Sequence, residues 1–338
     1  MRVSGIPSSK RGGAQRRGVW IYRGRIMKRY FQEISVTVTL GVVLVALAIF
    51  APGFYQPQPL LSLATREAPA LIVACGMALV IIGRQIDISV GSQFSVCSVC
   101  AALLVTQGWS LWAVVPATAV IGALLGAFNG AMVAWLRMPS IVVTLATMVT
   151  LRQGLNLVRQ GEFVNLPDGV QWFGLSQAGG QWALVFAALA VLVVLALGMR
   201  HLAVGRSVYA VGSDAEAARL AGIQPQQVTF LLFVQMGALA GLAATMNLVQ
   251  SPQVQPAVGT GLEMKVIAAV VVGGVAISGG RGNLWGAFMG LLLLACVSPA
   301  LIHLHVEAYW EKAIQGAIIL LAVVAEGLRR SREKGGHA

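Results

Sequence analysis

The chain has 338 residues, of which 57% are apolar and 11% charged, with a mean hydropathy of +0.78 and a net charge of +12. Soluble domains contain about 45–50% apolar and 25% charged residues. The composition therefore excludes a water-soluble enzyme and predicts an all-α polytopic membrane protein.

The positive charge is concentrated near the N-terminus. Nine of the 24 basic residues precede Phe31. Such a cluster beside a first membrane span is typical of a cytoplasmic segment next to anionic lipid. We expect residues 1–32 to form a basic cytoplasmic tail that contacts membrane lipid, and we expect no nucleic-acid partner.

Ten apolar runs are long enough to cross a bilayer, and they predict a membrane domain over residues 33–328. The alternative is eight or nine spans with a re-entrant segment around Asp87. The ten runs are 34–52, 68–84, 88–106, 111–136, 139–157, 182–199, 227–248, 263–279, 283–300 and 311–328.

The distribution of Lys and Arg predicts which side each loop faces. With the N-terminus inside, 19 of the 24 basic residues fall on the cytoplasmic side, as the positive-inside rule requires. Both termini are then cytoplasmic, and residues 329–338 form a C-terminal tail. The remaining basic residues fall at the outer ends of spans: Arg66, Arg152, Arg159, Lys265 and Lys312.

Asp87 is a carboxylate between two apolar runs. A charge in that position costs several kcal/mol unless it is paired or hydrated, so it indicates function. Arg84, about one helical turn away, is the expected partner; the alternative is that Asp87 caps the third helix. Asp87 and four nearby polar residues could line a path for hydroxylated solutes, or could form hydrogen bonds between helices. These four are Ser89, Ser92, Gln93 and Asn129.

A weak internal repeat links residues 122–130 with residues 282–290. The two stretches match at six of nine positions, and both have glycines at every fourth position. Such a pattern predicts a smooth face for close helix packing, and its place on the fourth and ninth spans favours an inverted repeat of five helices. Chance similarity between Gly-rich helices is the alternative. The glycines are Gly122, Gly126, Gly130, Gly282, Gly286 and Gly290.

The loop 200–226, after the sixth predicted span, contains a polar helical segment. Ser213 and Glu216 have the spacing of a capping box, and Gly222 followed by Pro225 ends the helix. This predicts a rigid helix of about two turns over 213–222. It could be a docking helix for a cytoplasmic partner or a connector along the membrane surface.

The sequence lacks signatures of catalysis. It has no P-loop, GxSxG elbow or HExxH helix. Cys97 and Cys100 lie three residues apart, but no further ligand is near enough to complete a metal site. His303 and His305 near Glu307 fit a loop contact better than a metal site. We therefore expect a non-catalytic chain with no cofactor of its own.

Four elements carry a family resemblance. Four stretches resemble, in the family's order, motifs of the sugar-type permeases of ABC importers: Ile86–Ser92, Asn129-Gly130 followed by Met138–Met148, Gly205–Ile223 and Gly273–Gly282. This group handles ribose, xylose, arabinose, rhamnose and autoinducer-2. Ala146 and the Ser213-Asp214 pair depart from the usual Gly and Gly-Asn, which leaves the solute's identity open.

The resemblance implies a division of labour. Such permeases pair in the membrane with a second copy or a paralogue, bind cytoplasmic ATPase subunits that hold ATP and Mg²⁺, and receive solute from a periplasmic sugar-binding protein. It implies a bacterial inner-membrane location and transport by alternating access. The residues expected to couple to the ATPase are Gly205, Arg206, Ser213, Asp214, Glu216, Ala218, Arg219, Leu220 and Gly222.

Two other classes remain as alternatives. A secondary transporter driven by an ion gradient would need ionisable residues at mid-membrane, and apart from Asp87 the predicted spans contain almost none. A membrane enzyme or channel is disfavoured, because the sequence contains no catalytic constellation and no filter-like repeats.

Overall fold

The computed structural model describes residues 35–303, together with 307, 310, 312–314, 316, 317, 320 and 324. Helices form about three quarters of this part. A two-residue antiparallel ribbon, β1 (Val164–Asn165) with β2 (Gln253–Val254), pairs Val164 with Val254 and joins two loops. The helices are α1 (Ser35–Phe50), α2 (Pro57–Ile82), α3 (Val90–Thr106), α4 (Leu111–Ala134), α5 (Ser140–Arg159), α6 (Gln177–His201), α7 (Ala203–Ser213), α8 (Ala215–Leu220), α9 (Pro225–Leu248), α10 (Leu262–Val272), α11 (Leu284–Ala295) and α12 (Val297–His303).

Six stretches of helix in the described chain are long and apolar enough to cross a membrane: α2, α4, α5, α6, α9 and the run Leu284–Ile302. Helices α1 and α3 are apolar but shorter. The chain is thus an all-α, multi-pass membrane protein. The count of ten spans stays a prediction, because most of the run 311–328 lies outside the described residues, as do the tails 1–32 and 329–338.

The predicted span 263–279 is wrong in its length. Helix α10 has 11 residues and ends at Val272, so it is about 16 Å long and cannot cross a hydrocarbon core of about 30 Å. Gly273 follows it, and Gly274 has φ +93°, a backbone conformation that favours glycine. The apolar run in the sequence continues past these glycines to residue 279, whereas the helix ends before them and the backbone turns.

Helix α2 is the central helix of the core. Nearly all of its apolar stretch is buried, because α6, α9, α10 and α11 pack around it. Helix α5 is the opposite case, with Ile141, Val142 and Leu145 exposed. The core therefore lies around α2, and α5 presents an apolar face to its surroundings.

Helix α4 packs along α9 through glycines. A Cβ at Gly122 would collide with the backbone carbonyl of Gly237, and one at Gly126 with the carbonyl of Phe233. At Gly130 the nearest contact would be the Phe230 carbonyl, at 3.0 Å. Only glycine permits this approach, so the two backbones are in direct contact along the crossing.

The second glycine stretch packs differently. Gly286 and Gly290 on α11 lie against the backbone of Gly273 and Ala269, on α10 and its end. Gly282 is outside the helix, since α11 begins at Leu284, and its φ of +128° makes it a turn residue. Its assignment to helix packing is therefore wrong, and the inverted repeat stays a prediction.

Candidate functional site

Asp214 caps the exposed helix α8. Its Oδ1 accepts hydrogen bonds from the backbone N–H groups of Glu216 at 2.9 Å and Ala217 at 3.0 Å. The predicted capping box on Ser213 is therefore wrong by one residue. Ser213 is the last residue of α7 and its backbone is helical, whereas an N-cap needs the extended backbone that Asp214 has.

The C-terminal end of α8 has a Schellman motif. Gly222 adopts φ +85°, and the Ile223 N–H donates to the Ala218 carbonyl at 3.0 Å. A β-carbon at Gly222 would meet no atom, so the glycine serves the turn and not a close contact. Both ends of this six-residue helix are thus closed by local hydrogen bonds, which makes it rigid despite its length.

The outer face of α8 combines an ion pair with an apolar side chain. Arg219 Nε donates to Glu216 Oε2 at 3.1 Å, so Glu216 does not reach back to the helix start as a capping box would require. This pairing lowers the pKa of Glu216, because the guanidinium donates a hydrogen bond and carries positive charge. Leu220 is 78% exposed, while Ala218, on the inner face of the same helix, is buried. The face therefore offers fixed charges beside an apolar side chain to a partner.

Helix α7 anchors α8 on the membrane helices. A Cβ at Gly205 would overlap the backbone of Met199, at the end of α6. Arg206 Nη1 donates to the His201 carbonyl at 3.3 Å, and Tyr209 Oη donates to the Gly282 carbonyl at 2.8 Å. Helix α7 is therefore held both to the end of α6 and to the turn after α10.

Three segments meet at the far end of α7, in what we call the glycine junction: residues 212–213, the turn 82–84 after α2, and residues 279–280 after α10. A Cβ at Gly212 would overlap the Ile82 carbonyl, and one at Gly280 would lie 2.8 Å from Ser213 Cα. The Gly280 N–H donates to the same Ile82 carbonyl at 2.8 Å. Backbone thus touches backbone at Gly212, and the Ser213 side chain lies against Gly280 as well.

Asp87 is fully buried, and its partners are not the predicted one. Its Oδ1 accepts from the Ser89 N–H at 2.9 Å, and its Oδ2 accepts from Gln93 Nε2 at 3.1 Å. The Arg84 pairing is wrong, because Arg84 adopts a left-handed backbone (φ 63°) in the glycine junction. Asp87 does not cap α3 at its first turn either, since the cap position is Ser89.

The polar network around Asp87 continues into α4 and α5. Ser89 Oγ accepts from Asn129 Nδ2 at 2.8 Å, and Thr147 Oγ1 donates to Asn129 Oδ1 at 2.7 Å. Ser92 Oγ donates to the Met148 carbonyl at 2.9 Å. The network joins three helices at the end of the molecule that carries the glycine junction.

Sequence reasoning missed two members of this network. Thr147 bonds to Asn129, and Thr144 Oγ1 accepts from the Ile88 N–H at 3.1 Å. Both threonines lie in the stretch 138–148, three residues apart. On a helix, this spacing puts them on the same face, which is the signal that could have identified them. The five predicted path residues are buried, and they line neither the cavity beside Glu67 and Lys265 nor the one beside Leu79 and Gly205. Their role in a path stays a prediction.

Sequence reasoning also missed buried charges on the first turn of α10. Lys265 Nζ lies 2.7 Å from Glu67 Oε2 on α2, and Arg152 Nη2 on α5 lies 3.3 Å from Glu263 Oε1. Glu67 and Glu263 are only 6% and 4% exposed. We call these two pairs the ion-pair cluster. The cluster and the glycine junction lie at opposite ends of α10.

Metal-ligating groups are not assembled in the described part of the chain, where no three His, Cys, Asp or Glu side chains come together. Cys75, Cys97 and Cys296 are buried free thiols, and Cys100 is half-buried. His305 lies outside the described residues.

A multi-pass helical body with broken helices and a capped helix exposed at one end is the architecture of a membrane transport protein. A family described as "Branched-chain amino acid transport system / permease component" matches residues 60–323. The chain belongs to this family. It is a permease component of an ABC importer, a multi-pass protein of the inner membrane.

Curated relatives agree with this assignment. The chain is 35% identical to the autoinducer 2 import system permease protein LsrC of Shigella flexneri, over 88% of this chain and 87% of the relative. It is 34% identical to LsrC of Escherichia coli (strain K12 / DH10B) over the same shares, and 31% identical to LsrC of Salmonella typhi over 88% and 86%. No solved structure matches.

Proposed function

We propose that this permease carries a small hydroxylated solute, a monosaccharide or a molecule of similar size, into the cell. The relatives above are named for the import of autoinducer 2, and the sequence motifs resemble those of sugar-type permeases. The family description names branched-chain amino acids instead. The relatives support the hydroxylated solute, since their identity extends over most of both chains. The relatives give no support to the ion-gradient alternative.

In this proposal, the face of α8 is the docking site for a cytoplasmic ATPase subunit, which holds ATP and Mg²⁺. The observation that carries it is the glycine junction. A helix exposed to a partner is joined through α7 to the turns that end α2 and α10, with backbone in contact with backbone. Because such contacts cannot be compressed, a displacement of α8 moves both turns.

The remaining parts of the assembly follow from the same proposal. The N- and C-terminal tails face the cytoplasm with α8. A second permease copy or a paralogue completes the membrane unit, and a periplasmic binding protein delivers the solute at the opposite end. Alternating access then consists of rigid-body motion of α4 with α9 and of α10 with α11, which the glycine contacts lock in pairs.

The docking role is tested with charge reversals on α8. We expect Glu216→Lys or Arg219→Glu to lower stimulation of the partner's ATPase by about tenfold or more, as for charges in a protein interface. The thermal unfolding midpoint of the chain should not move, because the pair is exposed.

A matched control exists at the other end of the molecule. Arg159 and Glu162 also form an ion pair three residues apart, and Glu162 is exposed. Glu162→Lys should leave ATPase stimulation unchanged. Equal losses in both variants, or none in either, would contradict the docking role of α8.

A further inference from the structure

A polar cavity of about 270 Å³ lies beside the ion-pair cluster, between α2, α3, α9, α10 and α12. Its charged wall is formed by Glu67 and Lys265, with Arg66 also contributing. Arg66 is 57% exposed, so the cavity reaches the surface. Pro69, the thirteenth of the 26 residues of α2, also lines it. The cavity therefore opens about halfway along the central helix.

Pro69 changes the backbone hydrogen bonding of α2 beside the cavity. Proline has no N–H, so the Thr65 carbonyl loses its helical partner. Gln250, just after α9, supplies one, since its Nε2 donates to that carbonyl at 3.3 Å. The loop after α9 is thereby held against α2. Val258 of this loop lines the cavity, together with Asn247 in the last turn of α9.

The side chains around the cavity suit a neutral hydroxylated molecule. The Glu67 carboxylate accepts hydrogen bonds, the Lys265 ammonium donates them, and the Asn247 amide does both. Phe94, together with Val258, provides an apolar wall against which the C–H groups of such a molecule can pack. A buried ion pair contributes little net stability, because desolvation offsets attraction. At a cavity wall, this pair can offer a hydrogen-bond acceptor and a donor to a molecule that enters.

We propose that this cavity is a binding site for the transported solute, and that the solute is neutral and polyhydroxylated; this rests on the proposed function. The alternative occupant is a zwitterionic amino acid. It would have to separate Glu67 from Lys265, which lie 2.7 Å apart, to bind its own ammonium and carboxylate. Hydroxyl groups instead bridge the two charges and leave the pair intact.

The test uses the permease assembled with its ATPase partner in sealed lipid vesicles, with the periplasmic binding protein added on the outside. Uptake is first measured for D-ribose, D-xylose, L-rhamnose, autoinducer 2 and L-leucine, and the hydroxylated compound imported fastest becomes the probe. A cysteine is placed at Val258 and labelled with a small water-soluble maleimide. We expect the probe to slow labelling of Val258→Cys about fivefold or more at saturation. It should not slow labelling of Gln253→Cys, an exposed residue in the same loop that does not line the cavity.

Two variants separate contact with the solute from support of the fold. Glu67→Gln should abolish protection by the probe. The double variant Arg152→Met/Glu263→Gln removes the other buried ion pair, which does not line the cavity, and should keep the protection. The thermal unfolding midpoint of each variant shows that it is folded.

Each outcome bears on one proposal. If a hydroxylated compound is imported but does not protect Val258→Cys, the cavity is not the solute site, while the proposed function stands. Protection by L-leucine would overturn the neutral-solute inference. If no hydroxylated compound is imported, the proposed function fails first. Equal loss of protection in Glu67→Gln and the Arg152 double variant would show a structural role only.

Discussion

The two ends of α10 are held by different kinds of contact. At the glycine junction, Gly212 and Gly280 bring main chains together, and no buried ion pair lies there among the described residues. At the ion-pair cluster, Lys265 and Glu263 tie α10 to α2 and α5 through buried charges.

The difference follows from the range of the two interactions. The repulsion between two backbones in contact rises steeply as they approach, because close-packed atoms cannot be compressed. Such a contact therefore transmits a displacement from one segment to the next. A buried ion pair has a small net free energy, because desolvation offsets most of the attraction. One end of α10 is suited to passing on motion, and the other to responding to a polar solute. Three variants sharpen this comparison.

The largest effect is expected at the glycine junction. Gly212→Ala places a Cβ against the Ile82 carbonyl, which a rigid helix end cannot vacate. We expect a loss of about 3 kcal/mol in the free energy of unfolding, measured on the purified chain in detergent. Gly154→Ala is the control: Gly154 is on exposed α5 with no atom near its would-be Cβ, so this change should be neutral or slightly stabilising. Equal stability of both variants would contradict the steric account.

An intermediate effect is expected at the ion-pair cluster. Arg152→Met leaves the Glu263 carboxylate buried without its partner, and we expect a loss of about 2 kcal/mol because Arg152 is only a quarter exposed. Adding Glu263→Gln should restore most of the stability, since the buried charge is then gone. Failure of the second change to restore it would show that packing of the Arg152 stem matters more than charge.

The smallest effect is expected in the Asp87 network. Asp87→Asn keeps one acceptor oxygen but loses the other, so either Ser89 or Gln93 loses its bond. We expect a loss of about 1 kcal/mol in the same unfolding experiment. Asp168→Asn, in an exposed loop, should show no change. A larger loss than that of Arg152→Met would reverse the order proposed here.

Local features of the site could be predicted where they depend on neighbours in sequence. A short polar helix after the sixth predicted span is present, and Gly222 ends it. The spacing predicts Ser213 as the cap, whereas the structure has Asp214. Both residue types are good caps, and only the backbone of Asp214 is extended.

Long-range features could not be predicted in this way. Sequence spacing predicts that Arg84 pairs with Asp87, one helical turn away, but the left-handed backbone at Arg84 puts it in the glycine junction. Lys265 was placed at an outer helix end, although it is paired inside the protein with a residue almost 200 positions earlier. Helical periodicity relates only residues that are close in sequence, so it cannot pair residues this far apart.

Hydropathy and short motifs were enough to predict a helical, multi-pass permease, because both are properties of contiguous residues. The place where α10 ends, the glycines that bring backbones together and the pairing of buried charges are visible only in the folded chain. These depend on the packing of helices distant in sequence, where burial and the loss of water set the energy of each contact.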